Sequence, residues 1–164
     1  MNEHRILDHQ QIEHTLKRIA YQIYETFVSE EHIVLAGIAS NGYILAERLG
    51  AILESISPLK VELCAVNMNK QAPLEPITTS LAPEQYAHKG IVVVDDVLNS
   101  GSTLMYGVKH FLNVPVKKCK TVVLVDRNHK NYPIKVDFKG ISLSTSLQEH
   151  VTVVLEKESY AFLS

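Results

Sequence analysis

The segment Ile91-Val92-Val93-Val94-Asp95-Asp96-Val97-Leu98-Asn99-Ser100-Gly101-Ser102-Thr103 constrains the fold of this chain more than any other. Four consecutive aliphatic residues describe a strand buried on both faces, as occurs where helices cover a parallel sheet. The run ends in two carboxylates, and a turn rich in hydroxyls follows before helical periodicity begins at Leu104 and runs to about Leu112. In open α/β sheets, ligands bind at the carboxyl edge of the strands, beside the loops that enter the next helices. Gly101 permits a tight turn and close backbone approach, while Ser100, Ser102 and Thr103 offer hydroxyl donors. The helix start adds free N–H groups and the positive end of a dipole. These groups suit a phosphate. Asp95 and Asp96 would repel a phosphate placed on them, so they are expected to face sugar hydroxyls or a metal ion.

The remaining pattern fits a single α/β domain over residues 1–164. Ile12, Leu16, Ile19, Ala20, Ile23 and Phe27 recur at helical spacing behind Asp8, a candidate N-cap with Gln11 as its capping-box partner. A strand is expected over 32–38, running into the turn Ala39-Ser40-Asn41-Gly42, and a helix over 43–53. A second strand is expected over 60–66. Pro73, Pro76 and Pro83 punctuate residues 67–89, which read as a long mobile surface segment of the kind that forms lids. The strand over 121–125 ends in Asp126-Arg127. Beyond it, short extended pieces over 135–138, 140–143 and 151–155 lack a crossover helix, so residues 128–164 are expected to form a small β-rich hood. The turn from Gly37 to Gly42 would meet the same sheet edge as the acidic pair, supplying a second set of backbone N–H groups for an anion.

Composition excludes several function classes. No apolar run approaches the roughly 20 residues of a membrane span, and the first residues show no charged-then-apolar leader, so a cytoplasmic location is expected. Cys64 and Cys119 lie in apolar surroundings without ligand spacing, which suggests buried thiols rather than a disulfide. Eight histidines without paired metal spacing argue against structural zinc. A net charge of −2 provides no global drive toward nucleic acid. The local basic group of Lys117, Lys118, Lys120, Arg127, Lys130, Lys135 and Lys139 reads as a solvated edge.

The acidic pair, the turn after it and their spacing resemble the phosphoribosyl-diphosphate motif of type I phosphoribosyltransferases. The flanks Arg5-Ile6-Leu7-Asp8, Leu16-Lys17-Arg18-Ile19-Ala20, Leu45-Ala46-Glu47-Arg48-Leu49, Val123 to Lys130 and Ser144-Thr145-Ser146 resemble the pyrimidine-operon regulator subgroup, PyrR, so the similarity covers nearly the whole chain. The resemblance implies a Rossmann-like parallel sheet flanked by helices and topped by the hood. It implies transfer of phosphoribose from phosphoribosyl diphosphate (PRPP) to a pyrimidine base, uracil by subgroup, with release of pyrophosphate. Asp95 and Asp96 would hold the ribose hydroxyls. Asn99, Ser100, Gly101, Ser102 and Thr103 would wrap the 5′-phosphate, Ser40 and Asn41 would receive the pyrophosphate, and Asp126 and Arg127 would lie near the nucleobase. Magnesium is the implied cofactor, carried by the diphosphate, with Asp95 and Asp96 as the candidate protein oxygens. A homodimer or higher homo-oligomer is implied as well.

At two places the chain departs from that subgroup. Ser40-Asn41 stands where Thr-Arg is usual, and Asn67-Met68-Asn69-Lys70 stands where the lid usually begins with a Tyr-Arg-Asp-Asp-like segment. Lys70 and Lys89 are the candidate replacements, retaining charge without the bidentate geometry of arginine. The alternative expectation is therefore a nucleotide-sensing regulator of weak or absent catalytic power. The subgroup also binds leader RNA, but Glu13-His14 replaces a basic pair in the first helix, leaving only Lys17, Arg18, His129, Lys130 and Lys135 of a basic face.

Overall fold

A computed structural model describes residues 3–164. Helix α1 (His9–Thr26) begins where the Asp8 carboxylate accepts the Gln11 N–H at 2.8 Å and the Gln11 side chain accepts the Asp8 N–H at 2.9 Å. This reciprocal cap satisfies two N–H groups that the helix leaves unpaired. All six apolar positions of the expected stripe, Ile12 through Phe27, are buried.

The main sheet contains β2 (His32–Ile38), β3 (Lys60–Asn67), β4 (Thr78–Thr79), β5 (Gly90–Leu98), β6 (Lys118–Asp126) and β7 (Phe138–Ser142), in the order β4-β3-β2-β5-β6-β7. Every pairing is parallel except the short β3–β4 ladder. Strand side chains alternate between two cores. Ile33, Leu35, Val92, Val94, Val122 and Leu124 pack with α1 and with α2 (Asn41–Ile56). Val34, Ala36, Ile91, Val93 and Val123 pack on the other face with Leu104 and Phe111 of α4 (Ser102–Phe111). Two covered faces explain why the central strands lack polar alternation. Among the described residues, no helix is long and apolar enough to cross a membrane. Both cysteines are free thiols.

Several boundaries differ from expectation. Strand β5 continues through both acids to Leu98 rather than ending at Val94, and α2 begins at Asn41 rather than Tyr43. Segment 67–89 is not featureless. It contains β4 and the turn of helix α3 (Pro83–Tyr86), and Tyr86 is 1% exposed with its ring edge-on to Phe111 at 4.9 Å. Residues 68–77 are its longest stretch without regular structure. The hood is also divided differently: β7 joins the main sheet beside β6, pairing Val122 with Phe138 and Asp126 with Ser142. Arg18 of α1 donates to the Lys139 and Gly140 carbonyls at 3.1 and 2.8 Å, which fixes that edge strand without a crossover helix. The separate small sheet instead joins β8 (Val151–Val154) and β9 (Tyr160–Leu163) to the N-terminal β1 (His4–Leu7), in the order β1-β9-β8. Strand β1 owes its form to a partner at the far end of the chain, a pairing that local periodicity does not carry.

Gly42 sets the closeness of α2 to the acidic strand, because a Cβ there would lie 2.4 Å from the Val94 carbonyl oxygen and 3.1 Å from the Asp95 Cα. Gly42→Ala must push the start of α2 away from β5. We expect a loss of about 1–3 kcal/mol, measured as a lowered urea midpoint at unchanged slope.

Candidate functional site

The carboxyl ends of β2, β5 and β6 meet at one edge, and the loops after β2 and β5 lead there into α2 and α4. After β5, Gly101 adopts φ +90°, a left-handed conformation that L side chains rarely take, and a Cβ at that position would also lie 2.6 Å from Ile134. The turn is held from outside, since Asn131 and Tyr132 donate their N–H groups to the Ser100 carbonyl at 2.7 and 3.2 Å. Within it, the Ser102 N–H donates to the Ser100 hydroxyl at 3.2 Å. The N–H groups of Thr103 and Leu104 precede the first intrahelical bond, from Met105 to the Gly101 carbonyl, and so suit an anion.

Asp95 is 3% exposed. Its carboxylate accepts the Asp96 N–H at 2.9 Å and the Lys70 ammonium at 2.9 Å, and that ammonium also stands 4.0 Å from Asp96. Burial pushes the Asp95 carboxyl up to about 7, the neighbouring Asp96 adds to the rise, and Lys70 opposes it. Asp96 accepts the Val97 N–H at 2.8 Å and the Asn41 side-chain amide at 2.9 Å. Lys70, Asp95, Asp96, Asn99, Ser100, Gly101 and Thr103 line one cavity of about 70 Å³. The expected acids and the Gly101 turn thus share a single cleft, and Lys70, from a turn after β3, enters it. Lys89 does not. It begins the β5 side of the opposite sheet edge and pairs with Glu62 at 2.7 Å.

The second loop lies against the same acids. The Ala39–Ser40 peptide is cis, and Ser40 precedes α2 without a side-chain capping bond. Asn41 was expected to turn toward pyrophosphate, but both of its amide hydrogens point inward, to Asp96 and to the Val153 carbonyl of β8, each at 2.9 Å. Its short side chain reaches protein partners from the helix start before it can reach outward.

Asp126, the last residue of β6, and Arg127 after it are both buried. Asp126 is 4% exposed, accepts the Asn128 N–H at 2.9 Å and lies 3.6 Å from the Lys139 ammonium. Arg127 is 7% exposed; its guanidinium donates to Thr145 Oγ1 at 3.1 Å, to Asn99 Oδ1 at 2.8 Å and to the Ser146 and Glu149 carbonyls. With its donors committed, Arg127 joins the phosphate turn to segment 144–149. Thr145, Glu149 and Val153 were not foreseen as partners of the site; Ser144-Thr145-Ser146 alone carried a hint, through the family resemblance. The basic edge is likewise committed locally: Lys117 pairs with Glu30, Lys120 stands 3.9 Å from Asp137, and Lys118 and Lys130 donate to backbone carbonyls.

The phosphoribosyl transferase domain pattern matches residues 3–157, nearly the whole chain. The chain belongs to the phosphoribosyl transferase family. Among similar sequences, the "Bifunctional protein PyrR" of Macrococcus caseolyticus is 31% identical over 166 residues, covering 96% of this chain and 94% of that one. The protein of the same name from Haemophilus ducreyi is 29% identical, covering 92% and 89%. These relatives bear out the resemblance to the PyrR subgroup. Among solved structures, a hypoxanthine-guanine phosphoribosyltransferase of Bacillus anthracis superposes with a TM-score of 0.70 at 20% identity, covering 87% of this chain and 84% of that one. The hypoxanthine phosphoribosyltransferase of Trypanosoma cruzi superposes with a TM-score of 0.74 at 16% identity, covering 87% and 82%. They share the fold, and the α/β architecture expected for the phosphoribosyltransferase family is the one found.

Two substitutions report on this geometry. Asp95 has a folded-state pKa above its unfolded value, so the fold binds its proton more tightly than the open chain does. Its contribution to stability therefore falls as pH rises from about 4 to about 7. Asp95→Asn removes the ionised form; we expect its thermal midpoint to exceed that of the parent by a margin that widens from pH 5 to pH 8 in a calorimetric series. Arg127→Met leaves the Asn99 oxygen and the two carbonyls without donors. Each unpaired buried acceptor costs about 1–3 kcal/mol, and limited proteolysis is expected to cut within 144–149.

Proposed function

We propose that this cleft binds PRPP and transfers its phosphoribosyl group to a pyrimidine base, uracil, releasing pyrophosphate. The observation that carries the proposal is the joining of an acid pair, one member buried, to a left-handed phosphate turn at the same sheet edge. The Thr103 and Leu104 N–H groups and the Ser100, Ser102 and Thr103 hydroxyls hold the 5′-phosphate. Asp95 and Asp96 accept hydrogen bonds from the two ribose hydroxyls, which places the anomeric carbon between the acids and segment 144–149. In the transfer a ring nitrogen of uracil forms the bond to the anomeric carbon and loses its proton to solvent. The bond to pyrophosphate breaks, and that group leaves with the electron pair. The transition state carries positive charge on the ribose, which carboxylates beside it stabilise in a site shielded from water. Uracil as the acceptor is supported by the relatives named PyrR, since the structural neighbours share the fold alone.

Magnesium fits this donor set as a shared rather than a resident ion. Among the described residues no group of three or more metal-binding side chains occurs. The acid pair nevertheless offers hard oxygens, and a cation, the Lys70 ammonium, already rests on it at 2.9 Å. Asp95 and Asp96 would hold the ion through their carboxylate oxygens. When bound, it neutralises charge on the departing group. Cytoplasmic residence and self-association are parts of the same proposal and rest on the family.

Incubation with uracil, magnesium and PRPP is expected to release pyrophosphate in amounts equal to the nucleotide formed. Asp96→Asn should lower kcat/KM by roughly 10²-fold or more, the scale of removing one preorganised electrostatic partner. Absence of release with any common nucleobase would overturn the transferase assignment.

A further inference from the structure

The two ends of the cleft are not equally furnished. At the phosphate end, the Gly101 turn presents N–H groups and hydroxyls that are held in place by Asn131, Tyr132 and, through Asn99, by Arg127. At the other end, the start of α2 presents main-chain N–H groups, and its one amide side chain faces inward. The cations nearby are committed elsewhere: Lys70 to Asp95 at 2.9 Å, Arg48 to Ser159 Oγ at 2.6 Å and the Glu156 carbonyl at 3.1 Å, and Arg127 to Asn99 and the hood. Moving Lys70 outward would leave a 3% exposed carboxylate without its counter-charge.

We infer that Asn41 sets the ligand preference of this site toward ribose 5-phosphate esters, such as a nucleoside 5′-monophosphate, and away from a tight hold on the diphosphate of PRPP. This rests on the phosphoribose site proposed above and adds which end of the ligand supplies the affinity. Asn41 acts in two ways. Its amide donates to Asp96 Oδ2 while Oδ1 of the same carboxylate accepts the Val97 N–H, so that carboxylate is held in one orientation. The same amide donates to the Val153 carbonyl of β8, so both of its hydrogens are used within the protein and none is left for a ligand. A diphosphate would carry several negative charges into a loop that answers with main-chain dipoles and the Ser40 hydroxyl but no cationic side chain of its own. Charged donors make hydrogen bonds roughly twice as strong as neutral ones, so the added diphosphate gains little there.

Calorimetric titration of the full chain with ribose 5-phosphate, UMP and PRPP, each with magnesium, tests this directly. The expected result is that PRPP binds within about tenfold of ribose 5-phosphate, and that UMP binds at least as tightly as PRPP. Asn41→Arg restores a cation at the loop; it should tighten PRPP at least tenfold while weakening ribose 5-phosphate, because Asp96 loses its donor. Tighter binding of PRPP than of ribose 5-phosphate by 100-fold or more in the unsubstituted protein overturns the inference and leaves the transferase assignment standing. That comparison needs no variant to fold. Binding of none of the three ligands removes the phosphoribose site itself.

Discussion

A carboxylate that the fold keeps almost out of water, Asp95, governs the arrangement around it. A buried ionised group is tolerated only where partners replace its hydration. Here the partners are the main-chain N–H of the next residue and an ammonium brought in by Lys70. The surrounding strands are as apolar as a parallel sheet allows, with Val92, Val93 and Val94 fully buried, so the cost of the charge is set against a well-packed core. A residue that breaks the apolar rule of its strand at the ligand edge of the sheet is where local consistency is expected to fail for the sake of a site. The raised pKa follows from the same desolvation.

The central strands and α1 were legible in the sequence because their patterns are local. The Asp8 and Gln11 cap, the stripe from Ile12 to Phe27 and the apolar runs in β2, β5 and β6 each report their own environment. The phosphate turn was legible for the same reason, since its glycine, hydroxyls and following helix are contiguous. What escaped is nonlocal. Strand β1 is made by β9, at the far end of the chain, and β7 is made by an edge of β6 and two carbonyls held by Arg18. Charge partners escaped likewise. Nothing adjacent to Arg127 in the sequence announces that Asn99, Thr145 and two hood carbonyls will use up its donors, and a dipeptide of Asp and Arg at a strand end reads as exposed until those contacts are seen.

Two tethers then define how the hood relates to the cleft. Arg127 links Asn99, beside the Gly101 turn, to segment 144–149; Asn41 links Asp96, near the end of β5, to β8 at Val153. Both tethers end on hood carbonyls, whose positions follow the backbone rather than any rotamer. The small sheet is fixed to the rest of the domain again by Arg48, which reaches Ser159 and the Glu156 carbonyl from α2. The main chain of 146–153 that faces the cleft is therefore placed by side chains from the cleft itself, Arg127 and Asn41. The side chains of Asp126 and Arg127 are spent on that scaffold, on Lys139, Asn99, Thr145 and two carbonyls, so what they give the cleft is the placing of segment 144–149 rather than a free polar group.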